Sequence, residues 1–513
     1  MFAASLLLLS SLTVLLLLLL SWPSTSCFAS AFQIKASVSV SETAKDNSAH
    51  SHNIINKIEK LVQEKLNRIV AGYQTHGDKM KRTLDVELEL CSKIEMCFMG
   101  GNVCDRYRNL LLSTKLRTKQ RLLEECLSAN DHVVRQLLAT AHGVESDEQK
   151  LFHEINFVPS ASVESTGEYD DLGRLMGNGG LMEGGETKKE TDGYDTALQV
   201  IHHTTRDWTV GAAPCREETT GWIVRAIIEY SSHYDSSHYD ECDGLRVLVP
   251  GAGLGRLAYE ISTCKDLVDM GVVPYVEAND SSVTMVFAAH NILKILQRQQ
   301  EEGQRSQFQS TIFPFLSDSQ VNEIDARKRF EMEAFPDESA IKSYNCYFDL
   351  SGTHPKLSFT IGDFVSTYSQ QAKQNQYHAV ATSFFIDTAT NIYEYIFIMK
   401  HVLSDNGIWV NCGPVQWHPC ALLRPTVEQL KDMLQVAGFE LLSWSIVNQA
   451  VAYRHPDDMG GKGLEARYTR SEAYRPLRFV ARLKAGDDNQ SEDFHLRVQY
   501  SEYLHEVANG KTL

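Results

Sequence analysis

The sequence predicts a doubly wound, mostly parallel α/β sheet behind an α-helical N-terminal region. Three observations lead there. Over 245–261 (LRVLVPGAGLGRLAYEI) a buried strand breaks into a glycine-rich turn and re-emerges as a helix. Strand-like and helix-like segments then alternate to about residue 483, the pattern of βαβ units. Ahead of them, 54–142 has apolar residues at i, i+3, i+4 spacing and no proline, as long amphipathic helices require.

From the N-terminus, residues 1–31 read as a targeting leader. Leucine dominates 6–20, Trp22-Pro23 ends the run, and Ala29-Ser30-Ala31 offers an A-x-A cleavage pattern. The run is short of the roughly 20 apolar residues a membrane span needs. A cleaved signal peptide on the secretory route is the expectation, with a signal anchor as the alternative. Ala29-Ser30-Ala31-Phe32 also resembles the junction of bipartite plastid-targeting leaders. Residues 32–52 are a polar spacer, 53–150 an antiparallel helical cap, and 151–195, rich in Gly, Glu, Asp and Ser, a mobile linker. The main domain spans 196–485, with a polar insertion at 300–356 expected over one side of the site, and 486–513 is an acidic tail. Within the domain, strands are expected at 245–249, 275–278, 357–361, 378–385, 407–412, 439–447 and 477–483, and helices near 255–264, 281–298, 390–403 and 425–437. The tandem SSHYDSSHYD at 231–240 reads as a solvated loop duplication.

Composition narrows the function. A net charge of −17 over 513 residues argues against a nucleic-acid partner, because phosphate binding depends on Lys and Arg. Eleven cysteines occur with no C-x-x-C pair, which fits neither a zinc site nor a disulfide framework. No metal is expected, nor a stable membrane span once the leader is removed. Oligomeric state is left open, a homodimer included.

In open α/β sheets ligands sit beyond the carboxyl ends of the strands. The first strand is followed by Gly251, Gly253 and Gly255, which let the backbone approach a nucleotide-type cofactor. A dinucleotide loop needs a small residue at the sixth position, where this chain has Arg256. That disfavours a NAD-dependent oxidoreductase. After the second strand stand Asn279 and Asp280; Asp280 could accept both ribose hydroxyls or simply cap the next helix. After the third, Asp363-Phe364 could meet an adenine or form a turn. After the fourth, Asp387 follows an apolar run and is either paired or functional. After the fifth, Gly413-Pro414 throws Trp417 and His418 toward the strand ends.

The ordered motifs VPGAGLGRLAYEI, NDSS, GDF, TSFFIDTATNIYEYI, GIWVNCGPVQWH and YRPLRFVARLK resemble the N2227-like family, whose characterised members are carnosine N-methyltransferases. The resemblance covers roughly 196–484. It implies the class I S-adenosyl-L-methionine (SAM) methyltransferase fold and methylation of an imidazole nitrogen of a small dipeptide, β-alanyl-histidine, to give anserine. By the same resemblance, Arg206 binds SAM at its carboxylate, with His203 where the family has Gln. Gly251 lies at the SAM loop, Asp280 replaces a family Glu at the ribose, Asp363 and Phe364 flank the adenine, and Ser383 replaces a family Cys. Asp387, His418 and Tyr474 match the family's dipeptide-binding residues. A carboxylate such as Asp387 would hold the ring N–H and stabilise the charge that develops on the imidazole. The alternatives are another histidine-containing peptide or small imidazole as acceptor, and a non-catalytic SAM-fold scaffold.

Overall fold

The computed structural model describes residues 47–99, 111–139, 155–157, 196–233, 244–301, 310–317, 325–337, 340, 343, 356–459 and 473–484. The expected leader and acidic tail, and most of the SSHYD duplication, lie outside the described residues. The spacer does too, except that 47–52 already belong to the first helix.

That helix, α1 (Asn47–Met99), pairs with α2 (Leu112–Leu137). Ser113 bonds Glu95, Gln120 bonds Asp85, and Leu127 packs against Gly77. Partner numbers fall on α1 as they rise on α2, so the pair is antiparallel, as expected. Its apolar stripe (Leu116, Leu123, Leu127, Val134) is buried. The pair is fastened to the domain by polar hooks. The Asn130 side chain exchanges two hydrogen bonds with the Phe313 backbone at 3.0 and 2.8 Å, and Asn291 donates to the Leu137 carbonyl at 2.8 Å.

The chain continues through β1 (Ile155–Phe157), α3 (Ala197–Trp208), α4 (Ala213–Arg216), a π-helical turn (Glu217–Gly221) and α5 (Trp222–His233). The sheet then begins with β2 (Leu245–Pro250), α6 (Arg256–Ser262), α7 (Lys265–Asp269), β3 (Pro274–Asp280) and α8 (Val283–Glu301). A hairpin of β4 (Ser310–Ile312) and β5 (Glu333–Phe335) fills part of the insertion. Next come β6 (Lys356–Ile361), α9 (Phe364–Tyr368), β7 (Tyr377–Ser383), α10 (Ile392–Val402), β8 (Leu403–Gly413), α11 (Val427–Val436) and β9 (Phe439–Ile446). The short strands β10 (Val451–Ala452) and β11 (Ala473–Tyr474) pair with each other, and β12 (Leu477–Leu483) closes the fold.

Eight strands form one sheet in the order β1-β6-β3-β2-β7-β8-β12-β9. The pairings from β1 to β8 are parallel, and β12 is antiparallel to both its neighbours. This is the class I SAM methyltransferase sheet, with β1 added at one edge. Side chains alternate between two cores because the strand period is two. Val247 and Val249 of β2, with Ile408 and Val410 of β8, face the core shared with α5, α8 and the N-terminal pair. Leu248, Val380 and Trp409 face the core under α10 and α11.

Three expectations change in detail. The segment 151–195 contributes an edge strand, β1, paired with β6. Strand β7 ends at Ser383 rather than 385, because Phe384 takes φ +54° and breaks the pleat. Strand β8 starts earlier than expected, at Leu403. No helix among the described residues is long and apolar enough to cross a membrane.

Candidate active site

The loop after β2 is held by backbone geometry that only glycine takes without strain. Gly251, Gly253 and Gly255 have φ of +60°, +53° and +74°. A Cβ on Gly251 would run into the Phe385 ring, and one on Gly255 would lie 2.9 Å from Phe359 Cζ. The bare loop is therefore a cradle whose backbone faces the strand ends. Asp280, at the end of β3, braces it. One carboxylate oxygen accepts from Gly253 N–H and the other from Ser282 N–H, both at 2.8 Å. Ser282, not Asp280, caps α8 by accepting from Met285 N–H. A carboxylate oxygen can accept more than one hydrogen bond, so a ribose hydroxyl could share this group with the loop.

Beside the loop lies a cavity open to solvent, lined by the loop, by Arg206 and Arg216, and by Ser383, Phe384, Tyr453 and Tyr474. Arg206, at the end of α3, projects into it. Its guanidinium grips Asp207 (2.7 and 3.1 Å), donates to the Tyr453 hydroxyl (3.1 Å) and meets His203 Nδ1 (3.1 Å). It also lies over the Phe384 and Tyr453 rings, at 4.9 and 5.4 Å. Burial, with the neighbouring Arg206 charge, pushes His203 down to about 3. The ring is thus neutral, and its Nδ1 acts as acceptor. Burial disfavours the Asp207 carboxylate, but Arg206 outweighs it and holds the group below its usual range. Arg206 is a cation pre-positioned at the cavity wall, which fits it to meet an anionic cofactor end.

Under the loop is a buried ion cluster. Asp337, from the insertion, pairs with both Arg216 and Arg256, the latter at 2.9 Å. Arg256 also bonds Glu260 at 2.6 Å and lies over the Trp208 ring. Burial and the nearby Arg256 lower Arg216 to about 10. Burial also opposes the charge on Arg256, but Glu260 and Asp337 prevail and hold it above its ordinary value.

On the far side, Ser383, Phe384 and Tyr474 line the same cavity. The rings of Phe384, Tyr453 and Tyr474 meet edge to face, at 5.2, 5.2 and 6.5 Å. Among the described residues, the buried Tyr474 hydroxyl has no hydrogen-bond partner. A buried, unsatisfied hydroxyl at a cavity wall is costly, and a bound ligand would relieve it. Asp387 sits in the 3₁₀ turn after β7. Its carboxylate accepts from Gln416 N–H at 3.0 Å, and its carbonyl accepts from His418 N–H at 3.0 Å. These two bonds fix the 414–422 loop on this turn, and Leu422 N–H adds a third to the Thr390 carbonyl. Burial raises the Asp387 carboxyl to about 6 and lowers His418. Asp363 caps α9 by accepting from Ser366 N–H at 2.8 Å, and Phe364 packs on Phe385 and Tyr395.

The structure therefore brings Arg206, Gly251, Ser383 and Tyr474 to one cavity wall. His203, Gly253 and Asp280 stand behind its loop. Phe364 connects to it through Phe385, which abuts Gly251, while Asp363 is exposed at the end of β6. Asp387 and His418 are joined to each other by backbone but do not line that cavity. Sequence reasoning missed Arg216, Asp337 and Tyr453. Arg216 and Tyr453 carry no motif, and Asp337 lies in an insertion whose packing no local pattern reveals. Among the described residues no cluster of His, Cys, Asp and Glu could hold a metal ion. The glycine cradle and the Arg206 guanidinium at the cavity wall fit SAM.

A profile described as carnosine N-methyltransferase matches residues 185–459, just over half of the chain. The carnosine N-methyltransferase unmet of Drosophila melanogaster is 30% identical over 46% of this chain and 45% of its own length. The Schizosaccharomyces pombe carnosine N-methyltransferase is 29% identical over 47% of this chain and 61% of its own. The mouse enzyme of that name is 28% identical over 48% and 55%. The chain thus spans about half the length of the curated relatives it matches. With its sheet topology, its bare glycine loop and this profile match, the chain belongs to the carnosine N-methyltransferase family of SAM-dependent methyltransferases.

Proposed function

We propose that this protein transfers the methyl group of SAM to an imidazole nitrogen of carnosine, giving anserine and S-adenosylhomocysteine. The observation that carries this reading is the cavity at the carboxyl ends of β2 and β7, where the bare 251–255 loop, the Arg206 guanidinium and Tyr474 meet. Ligands bind beyond the carboxyl ends of the strands in open α/β sheets, and the Asp387 carboxylate lies at that edge, just after β7. Bound SAM supplies an electrophilic methyl group on a sulfonium.

The residues divide the remaining work. Arg206 holds the cofactor carboxylate, and the 251–255 loop admits its backbone-facing edge. Asp387 accepts the N–H of the acceptor imidazole, which fixes the tautomer and aims the other, lone-pair nitrogen at the methyl carbon. As the N–C bond forms and the C–S bond breaks, positive charge moves onto the ring, and the proton of the other ring N–H is then released to water to leave the neutral methylimidazole. The Asp387 carboxylate lies in a buried setting where it stabilises that charge strongly. The Tyr474 hydroxyl and His418 orient the dipeptide ends. The reaction rests on positioning and electrostatics.

The test is labelled-methyl transfer from SAM to carnosine by the purified protein, with calorimetric titration of SAM in the same preparation. Transfer to the imidazole supports the reading. SAM binding without transfer to carnosine overturns the acceptor assignment and points to another histidine-containing peptide or small imidazole. That second reading is favoured by His203 and Ser383, which depart from the family pattern beside the cavity. Delivery by the N-terminal leader along the secretory route belongs to the same proposal, and fractionation of the tagged full chain tests it.

A further inference from the structure

We propose that Asp337, carried by the 300–356 insertion, is a positioning residue for SAM that acts through Arg216 on Arg206. Its side chain is 3% exposed and reaches two cationic groups from two different elements. It pairs with Arg256 of α6 at 2.9 Å and with Arg216 of α4. Its other role is local, accepting from Ala340 N–H at 2.8 Å, and the Ala340 carbonyl in turn accepts from the Tyr259 hydroxyl at 2.7 Å. The insertion is thereby locked onto α6, the helix that opens directly from the glycine loop.

Arg216 is the link to the cofactor. Its Nη1 donates to the backbone carbonyl of Arg206 at 2.9 Å. Arg206 is the residue whose guanidinium stands at the cavity wall, and Arg216 and Arg256 line the same cavity. One carboxylate therefore sets the distance between the helix that carries Arg206 and the helix that begins at the loop. Without its charge, two buried arginines would repel each other across that gap. The separation of the two SAM-holding elements would then relax, and a misplacement of about 1 Å is enough to cost a large factor in binding or rate. A second fastening supports the assignment of the insertion to this side of the site. Glu333 of β5 accepts from Gly211 N–H at 3.1 Å, in the turn just after α3.

The experiment uses the full chain and reads SAM affinity by calorimetry, which needs no assumption about the acceptor. Asp337→Asn and Arg216→Gln are each expected to weaken SAM binding by roughly tenfold or more. Asp337→Glu should recover part of the loss. In turnover with carnosine, the KM for SAM should rise while the KM for the acceptor changes by less than about twofold. Because the two residues act in series, the double variant should lose little more than the worse single one. Unchanged SAM affinity in a folded Arg216→Gln protein overturns the proposal, as do losses that multiply in the double variant or a parallel rise in both KM values. If Asp337→Asn yields no folded protein, Arg216→Gln decides alone, since there Asp337 keeps Arg256 as its partner. Failure of carnosine as acceptor leaves the calorimetric result intact and is read separately.

Discussion

Replacing Asp387 by Asn separates stability from function with opposite signs. Burial raises this carboxyl from 3.8 to about 6. A raised acid binds its proton more tightly in the folded state than in the unfolded one. Its ionisation therefore destabilises the fold, by nothing at pH well below the unfolded value and by the full amount above the folded value. A difference of about two pH units corresponds to about 3 kcal/mol. The deficit of the native protein relative to the variant should grow from roughly 1.5 kcal/mol near pH 5 to about 3 near pH 8. Asn keeps an oxygen for Gln416 N–H, which lies 3.0 Å from the native carboxylate, so the local strap survives. Asp387→Asn should thus melt several degrees higher near pH 8, with a smaller gain near pH 5. Activity should move the other way. An imidazolium and a carboxylate about 4 Å apart at an effective dielectric of about 20 interact by about 4 kcal/mol, or about a thousandfold in kcat. Thermal melts at the two pH values and methyl-transfer rates check both halves. A variant that melts no higher than the native protein near pH 8, or that keeps full turnover, would refute the reasoning. The pH profile adds a check. Native kcat/KM should rise through about pH 6 as Asp387 ionises and through about 6.5 as the acceptor ring becomes neutral, and the variant should show only the second step.

Tyr474→Phe removes a buried hydroxyl that has no partner among the described residues, so the protein without ligands should be as stable or up to about 1 kcal/mol more stable by denaturant unfolding, while the KM for the acceptor rises. Gly251→Ala forces a Cβ into the Phe385 ring at φ +60°; calorimetry should show SAM binding lost. Glu277→Gln should destabilise by about 3 kcal/mol, because the Glu277 carboxylate accepts from Tyr368, Tyr377, Thr360 and Lys373 at once. Burial opposes that charge, but Lys373 and the hydroxyls hold Glu277 below the usual range, so the contribution is present above the ordinary carboxylate pKa and is lost as pH falls through the lowered one. A variant unfolding at native urea concentration would contradict this.

The amino-acid sequence alone determined the sheet and the loop. Short, near-continuous apolar runs such as 245–249 read as strands buried by helices on both faces, and three glycines at alternate positions after such a strand leave few other conformations. Both are local or periodic constraints, readable without knowing which segments touch. The residues after each strand followed from topology, since parallel strands bring their carboxyl ends to one edge; Gly251 and Ser383 do line the cavity there, joined by Arg206 and Tyr474, which only the family resemblance had pointed to, whereas Asp387 and His418 do not line it. Tertiary structure decided the rest. Whether Asp280 faces a ligand or the loop depended on Gly253 N–H, 27 positions away. Edge strand β1 has three residues and gains its place only from β6, so nothing in its own sequence could reveal it. Asp337 lies 121 positions from Arg216 and 81 from Arg256, and their union became visible only once the chain had folded. Local patterns specify elements through short-range sterics and burial, whereas a charge cluster is specified by the sum of long-range packing that brings its members out of water together.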